Sequence, residues 1–394
     1  MSLKKVVFLL VFLCSIHGFS QSIELSPLSK VSLLTIGNAD ELSSKFGHTA
    51  IRIQDPAIDK DFVFGYGGFD FNDPLFYSKF TTGKLDYSMT AHRFSSFIDS
   101  YRYENRSVYE QTLNLNFEQK TKLFKFLQNN YRKENRYYKY DFLFDNCATK
   151  IPEVFNDIFG KDLNFDSSYL KKSSTFRQLI HETLDTNSWA TFGIDLALGS
   201  VIDRKATAWQ HQFLPAYVQQ QFSHVTIDGK PLISKEEMLL ESTPETTESS
   251  FLLSPLFTMI LLLLLVVVFT YFDYRKKKRS RWVDFSLFFT TGIAGVLIAF
   301  LWFGTDHQST KINFNIFWAV APNLIIAFLF LKTNPQKWLS KYLLVLLVLI
   351  GIVALLWIFK IQVFSPLLIF VMIALVVRYI FLMQHLKHTK ADLI

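Results

Sequence analysis

The sequence predicts an exported α+β domain followed by an all-α bundle of about five transmembrane helices. Three observations carry this: a charged and then apolar N-terminus, mixed strand and helix patterning up to about residue 250, and long apolar runs beyond it. At 394 residues the chain is long enough for two domains, and its hydrophobic half is concentrated in the C-terminal part.

Residues 1–20 read as a signal peptide. Lys4 and Lys5 precede an apolar core ending near Leu13, with small residues around Gly18 and Ser20 for cleavage. That core is about ten residues, against roughly twenty needed to span a bilayer, so a retained anchor is the weaker reading. Residues 21–160 form the first exported unit, 161–240 a mostly helical extension, and 241–250 (ESTPETTESS) a polar linker. Within 251–394, stretches of spanning length occur at about 251–272, 283–303, 314–331, 342–359 and 363–382.

The net charge of +7 does not indicate nucleic acid. Arg275, Lys276, Lys277, Lys278, Arg279 and Arg281 directly follow the first span, and without them 35 basic residues face 34 acidic ones. The cluster is a positive-inside signal, so the loop is cytoplasmic and residues 21–250 lie outside an inner (cytoplasmic) membrane crossed several times. Lys332, Lys337 and Lys341 fit the next inner loop, and Arg378, Lys387 and Lys390 an inner tail.

The exported part alternates in HTAIRIQD (48–55), DFVFGY (61–66), KLDYSM (84–89) and RSVYEQTLNL (106–115), which predicts strands. A helix capped by Asn116 follows, with Leu123, Phe124, Leu127 and Tyr131 on one face. Ile151, Val154, Phe155 and Ile158 predict a second helix, opened by Cys147. Residues 165–240 read as mostly helical, with apolar runs at 188–199 and 208–218.

Cys14 leaves with the signal, so Cys147 is the one thiol of the mature chain and has no disulfide partner within it. It is therefore a buried small hydrophobe or a nucleophile. In Asp145-Asn146-Cys147-Ala148-Thr149, Asp145 or Asn146 caps the helix, and free N–H groups at its start favour a thiolate of depressed pKa and can hold an oxyanion. Pro152, six residues into that helix, removes a hydrogen bond and costs roughly 3 kcal/mol unless the helix kinks. His48, after Gly47 at the start of a strand, is the best-placed proton acceptor. A hairpin formed with residues 61–66 brings Tyr66 or Asp70 toward the imidazole as its orienting group. His92, His181, His211 and His224 have ordinary polar neighbours, whereas His307 and Asp306, in the short outer loop after the second span, lie at the membrane surface.

Beyond these local readings, FGHTAIRIQDP (46–56), FGYGGFDFNDPLFYSKFTTGKLDY (64–87), ENRSVYEQTLNL (104–115) and YKYDFLFDNCATK (138–150) together resemble the Lnb-type N-terminal periplasmic domain of Bacteroidota. WATFGIDLALGSVIDR (189–204) and FLPAYV (213–218) continue the likeness. The order of histidine and cysteine is also similar to that of permuted papain-like folds of the NlpC and lecithin:retinol acyltransferase kind. The resemblance implies lipoprotein N-acylation, in which an acyl chain passes from a phospholipid donor to the α-amine of a diacylated lipoprotein. Cys147 is then the nucleophile, His48 the base and Asn146 its neighbour in the motif, with Tyr66 and Asp70 left open as the third member. No metal or soluble cofactor is implied. An NlpC-type peptidoglycan amidase or endopeptidase would use the same pair but has no need of five spans, and a non-catalytic envelope-binding protein would keep Cys147 as core.

Overall fold

A computed structural model describes residues 24–41, 44–243 and 250–388. The signal peptide with Cys14, most of the linker and Lys390 lie outside the described residues.

Ten strands and thirteen α-helices occur among the described residues. The strands are β1 (Lys30–Ile36), β2 (His48–Asp55), β3 (Lys60–Gly68), β4 (Asp86–Arg93), β5 (Val108–Leu113), β6 (Tyr137–Lys139), β7 (Leu163–Phe165), β8 (Val225–Ile227), β9 (Lys230–Pro231) and β10 (Ile233–Leu240). The helices of the exported part are α1 (Phe76–Thr82), α2 (Phe94–Tyr103), α3 (Phe117–Asn130), α4 (Lys150–Phe159), α5 (Phe176–His181), α6 (Trp189–Ala197), α7 (Ala208–His211) and α8 (Pro215–Phe222). A seven-stranded antiparallel sheet in the order β10-β5-β1-β2-β3-β4-β6 forms the core, and β7-β8-β9 make a small second sheet.

Strand alternation sends Leu33, Ile51, Phe64 and Tyr66 to one face, against Leu123, Leu127, Ile151 and Phe155 of α3 and α4. Leu34, Ile36, Ala50 and Val63 go to the other face, against Phe97 of α2. The β2–β3 hairpin forms as the alternation predicts, with Ala50 opposite Gly65. The α3 capping box at Asn116 and Gln119 also forms, and Tyr131 caps the C-terminal end of α3.

The expected division near residue 160 does not separate two units. Strand β10 pairs with β5 and so belongs to the main sheet, and Val218 and Phe222 of α8 pack in the same core as α4.

Among the described residues, four helices are long and apolar enough to cross a membrane: α9 (Pro255–Lys276), α10 (Arg281–Phe303), α12 (Leu339–Ile358) and α13 (Leu368–His388). The stretch expected as a continuous span at 314–331 is instead broken into a 3-10 turn, Phe314–Phe317, and a short helix α11, Asn323–Phe330. Pro322 cannot donate across the break, while Asn315 turns its amide to the carbonyls of Asp195 and Leu196 in α6. This segment still runs the depth of the bundle. Asn313 at its start is bonded to the carbonyls of Leu196 and Ala197, and the carbonyls of Phe330 and Lys332 at its end are held by Arg279. Gly292 and Gly295 of α10 admit it, since a Cβ at either would lie 2.2 Å from the backbone of Leu324 or Ala319.

The exported domain is seated on the bundle. Phe192 of α6 packs among the transmembrane side chains, Asp203 accepts the Val363 N–H at 3.2 Å, and Gly199 donates to the Ser309 carbonyl at 3.0 Å. Arg378, read from the sequence as part of an inner tail, is instead fully buried within α13 and paired with Asp273 and Asp284.

Candidate active site

Strand β2 pairs with β3 only from Ala50 onward, and the register of β3 on β4 breaks between Gly65 and Gly68. A gap therefore opens beside the first two residues of β2, His48 and Thr49. Cys147 fills it. The backbone N–H groups of Thr49, Cys147 and Ala148 lie around its sulfur and favour negative charge there. Gly67 lies against Cys147, with a φ of +94°, a conformation that suits glycine, and a Cβ position 3.6 Å from the Cys147 Cβ, an ordinary contact distance.

Asn146 builds the turn that presents the thiol. Its Oδ1 accepts the N–H groups of Ala148 (2.7 Å) and Thr149 (2.9 Å), and its Nδ2 donates to the carbonyls of Phe142 and Phe213 (both 2.8 Å). Neither expected residue caps α4 itself, whose N-cap is Thr149 with no side-chain bond: Asn146 closes the turn before it, and Asp145 pairs with Lys150 at 2.5 Å. Cys147 lies in the turn before α4, whose first residue is Lys150. Pro152 is thus in the first helical turn, where the missing N–H costs little, and the kink expected from its position does not arise.

The His48 Nε2 lies 3.2 Å from where a Gly65 Cβ would stand, at the edge of a cavity of about 410 Å³. Thr90, Phe97, Ser100 and Tyr101 line the same cavity. Burial, with Arg106 adding to it, lowers the His48 pKa to about 4. Burial likewise raises the Cys147 thiol to about 11, opposed by the three N–H groups and by Arg106. The thiolate of depressed pKa expected from the helix start is therefore corrected: loss of water outweighs the N–H groups, and the resting pair is a neutral thiol and a neutral imidazole.

Neither expected orienting group reaches the imidazole through its polar end. Tyr66, one residue beyond Gly65, faces the α3 side of the sheet, where its hydroxyl donates to Asn130 Oδ1 at 2.6 Å. Burial raises its pKa. Asp70 is exposed in the loop after β3, and its carboxylate accepts the Asn72 N–H at 2.9 Å and the Asn72 side-chain amide at 3.1 Å.

The sequence reading missed Arg106. Its guanidinium stands over the Tyr101 ring at 4.9 Å, donates to Gly37 O and Glu104, acts on both His48 and Cys147, and leaves Nη2 buried without a hydrogen bond. The ENRSVYEQTLNL run contained it, but nothing local distinguished it from a surface arginine. Tyr138 and Tyr140 also border the thiol, and burial pushes both hydroxyls up, so they remain protonated donors. Among the described residues, no three His, Cys, Asp or Glu side chains gather as a metal site.

The family model of the Lnb N-terminal periplasmic domain matches residues 18–182, and that of the Lnb transmembrane domain matches 246–390. The chain belongs to the Lnb family. It is accordingly a multi-pass membrane protein with a periplasmic domain, and both halves of the Lnb architecture are present in order. No curated protein and no solved structure matches the chain.

Proposed function

We propose that this Lnb-type protein is an inner-membrane lipoprotein N-acyltransferase working through a thioester on Cys147. The observation that supports it most is the Cys147 sulfur set among the backbone N–H groups of Thr49, the residue after His48, Cys147 and Ala148, in a periplasmic domain seated on a transmembrane bundle. The periplasmic core is of the permuted papain-like kind in this reading.

The neutral imidazole of His48 takes the thiol proton as the sulfur attacks an ester carbonyl of a glycerophospholipid. The Cys147 and Ala148 N–H groups turn to the developing oxyanion. The C–O bond breaks, and the lysophospholipid oxygen leaves with the proton from His48. The α-amine of a diacylated lipoprotein then attacks the thioester, His48 accepts the amine proton, and the sulfur departs and is reprotonated. Loss of water makes both charged forms costly, so the proton moves with the attack and no resting ion pair is stored.

Incubating the full-length protein with phospholipid and no acceptor should leave an acyl group that neutral hydroxylamine removes. A diacylated lipopeptide should discharge it as a triacylated product. His48→Ala should form the adduct about 10² to 10⁴ times more slowly. A wild-type protein that forms no adduct and converts no lipopeptide excludes this reading.

A further inference from the structure

Phe69, Phe71, Leu75, Tyr77 and Phe80 are all exposed, Phe71 at 70% and Tyr77 at 80%. They form one cluster around Phe76, whose ring lies 5.7 Å from Phe69, 4.9 Å from Phe71, 5.3 Å from Tyr77 and 6.0 Å from Phe80. Five large apolar side chains left in water beside one another are a docking face.

Its position names the partner. Span α10 ends at Phe303, which is 72% exposed and stacked on Trp302 at 4.7 Å. Three and four residues on, Asp306 donates its N–H to the Thr82 carbonyl at 2.9 Å, and His307 Nε2 lies 3.2 Å from the Thr81 carbonyl. The C-terminal end of α1 is thereby tied to the loop leaving the bilayer. A seven-residue helix is only about 10 Å long, so α1 and its rings stay at the membrane boundary, where aromatic side chains are favoured. His307 and Asp306, which the sequence placed at the membrane surface, are this tie.

A line of rings runs from the cluster to the thiol. Phe69 meets Tyr87 at 5.6 Å, and Tyr87 stacks on Tyr140 at 4.4 Å. Tyr140 and Cys147 flank the same Gly67, 3.9 and 3.6 Å from its Cβ position.

We propose that Phe69, Phe71, Leu75, Tyr77 and Phe80 enter the periplasmic leaflet and form the port through which the donor's acyl chain reaches Cys147. Entry into the leaflet stands on the tie to α10 alone, while the port rests on the acyltransferase reading. The rings give an apolar path past Tyr87 and Tyr140, so a chain moves from the leaflet to the sulfur without crossing water.

Two measurements on the full-length protein in phosphatidylethanolamine and phosphatidylglycerol vesicles test this. In a chain carrying Cys14→Ala and Cys147→Ser, an NBD label on Phe71→Cys or Tyr77→Cys should be blue-shifted, quenched by shallow doxyl lipids and shielded from iodide. The same label on Ile58→Cys, beyond the far end of β3 and about 30 Å from Phe69 at strand rise, should remain open to iodide. Iodide access at 71 and 77 equal to that at 58 overturns leaflet entry. In the second, Phe71→Ser/Leu75→Ser/Tyr77→Ser should slow Cys147 acylation by phospholipid about tenfold or more, the effect of one large side chain failing to leave water. Acylation by p-nitrophenyl acetate, which releases p-nitrophenolate, should be unchanged. Equal loss with both donors overturns the port. A wild-type chain acylated by neither donor sinks the acyltransferase reading, while the label results still decide leaflet entry.

Discussion

Two regions bury ionisable groups, and they treat them in opposite ways. At the ends of the spans away from the periplasmic domain, Arg378 bonds Asp284 through Nε at 2.6 Å, Asp273 through Nη2 at 2.8 Å and Thr270 through Nη1 at 3.2 Å. Arg279 completes the set on Asp284 at 2.6 Å, so two guanidinium groups meet two carboxylates and little bonding capacity is left over. At the periplasmic site, by contrast, Cys147 and His48 are driven toward neutrality and Arg106 keeps an unpartnered Nη2. A matched cluster in the membrane fixes helix positions; a mismatched one leaves groups free to take a proton or a ligand.

The largest effect separating the two regions is on folding. Asp284→Ala removes the carboxylate shared by Arg378 and Arg279 and leaves two buried guanidinium groups with Asp273 alone to balance them, so it should cost about 3–5 kcal/mol, read as a lowered detergent unfolding midpoint. Cys147→Ala should leave that midpoint unchanged while abolishing acyl transfer. Comparable destabilisation by the two would erase the distinction drawn between the regions.

Asn146→Ala is expected to lie between them. It removes the acceptor for two N–H groups and leaves the Phe142 and Phe213 carbonyls short of a donor. A loss of about 1–3 kcal/mol follows, together with slower acylation because the turn no longer holds the sulfur under the Thr49 N–H. Full activity in Asn146→Ala would show that Thr49 and Gly67 position the thiol without it.

The sequence disclosed elements with a clean period and missed those without one. Strand β2 was legible because Ile51-Arg52-Ile53-Gln54 alternates, whereas in β1 the adjacent Leu33 and Leu34 break the beat that Val31-Ser32 begins. Strand β10 was read as part of a helical extension because Lys235, Glu236 and Glu237 make it a charged edge. The 314–331 stretch had the composition of a span, but the pull of Asn313 and Asn315 toward α6 is a tertiary effect invisible in hydropathy. At the site, Cys147, His48 and Asn146 were named from local chemistry. Tyr66 was misjudged because one residue of strand phase decides which face a side chain takes, and Asp70 because β3 ends at Gly68 and leaves it in an exposed loop. Arg106 requires the fold, since only the β1–β5 pairing brings residue 106 back beside residue 37.

The smallest effect concerns pH, and its sign distinguishes a neutral pair from a stored ion pair. As pH falls from about 6.5 toward about 4, the unfolded chain protonates His48 before the folded one does, so stability declines through that window. As pH rises from about 8.5 to about 11, the unfolded chain releases the Cys147 proton first, and stability declines again. Iodoacetamide labelling of the resting protein reads the thiol directly. Its rate should climb with pH toward a midpoint of about 11, and His48→Ala should barely move that midpoint, since no imidazolium supports a thiolate. A midpoint below about 8.5 that His48→Ala raises would show instead that the pair rests as thiolate and imidazolium. The three N–H groups would then outweigh burial, and the first step would be attack by a preformed thiolate.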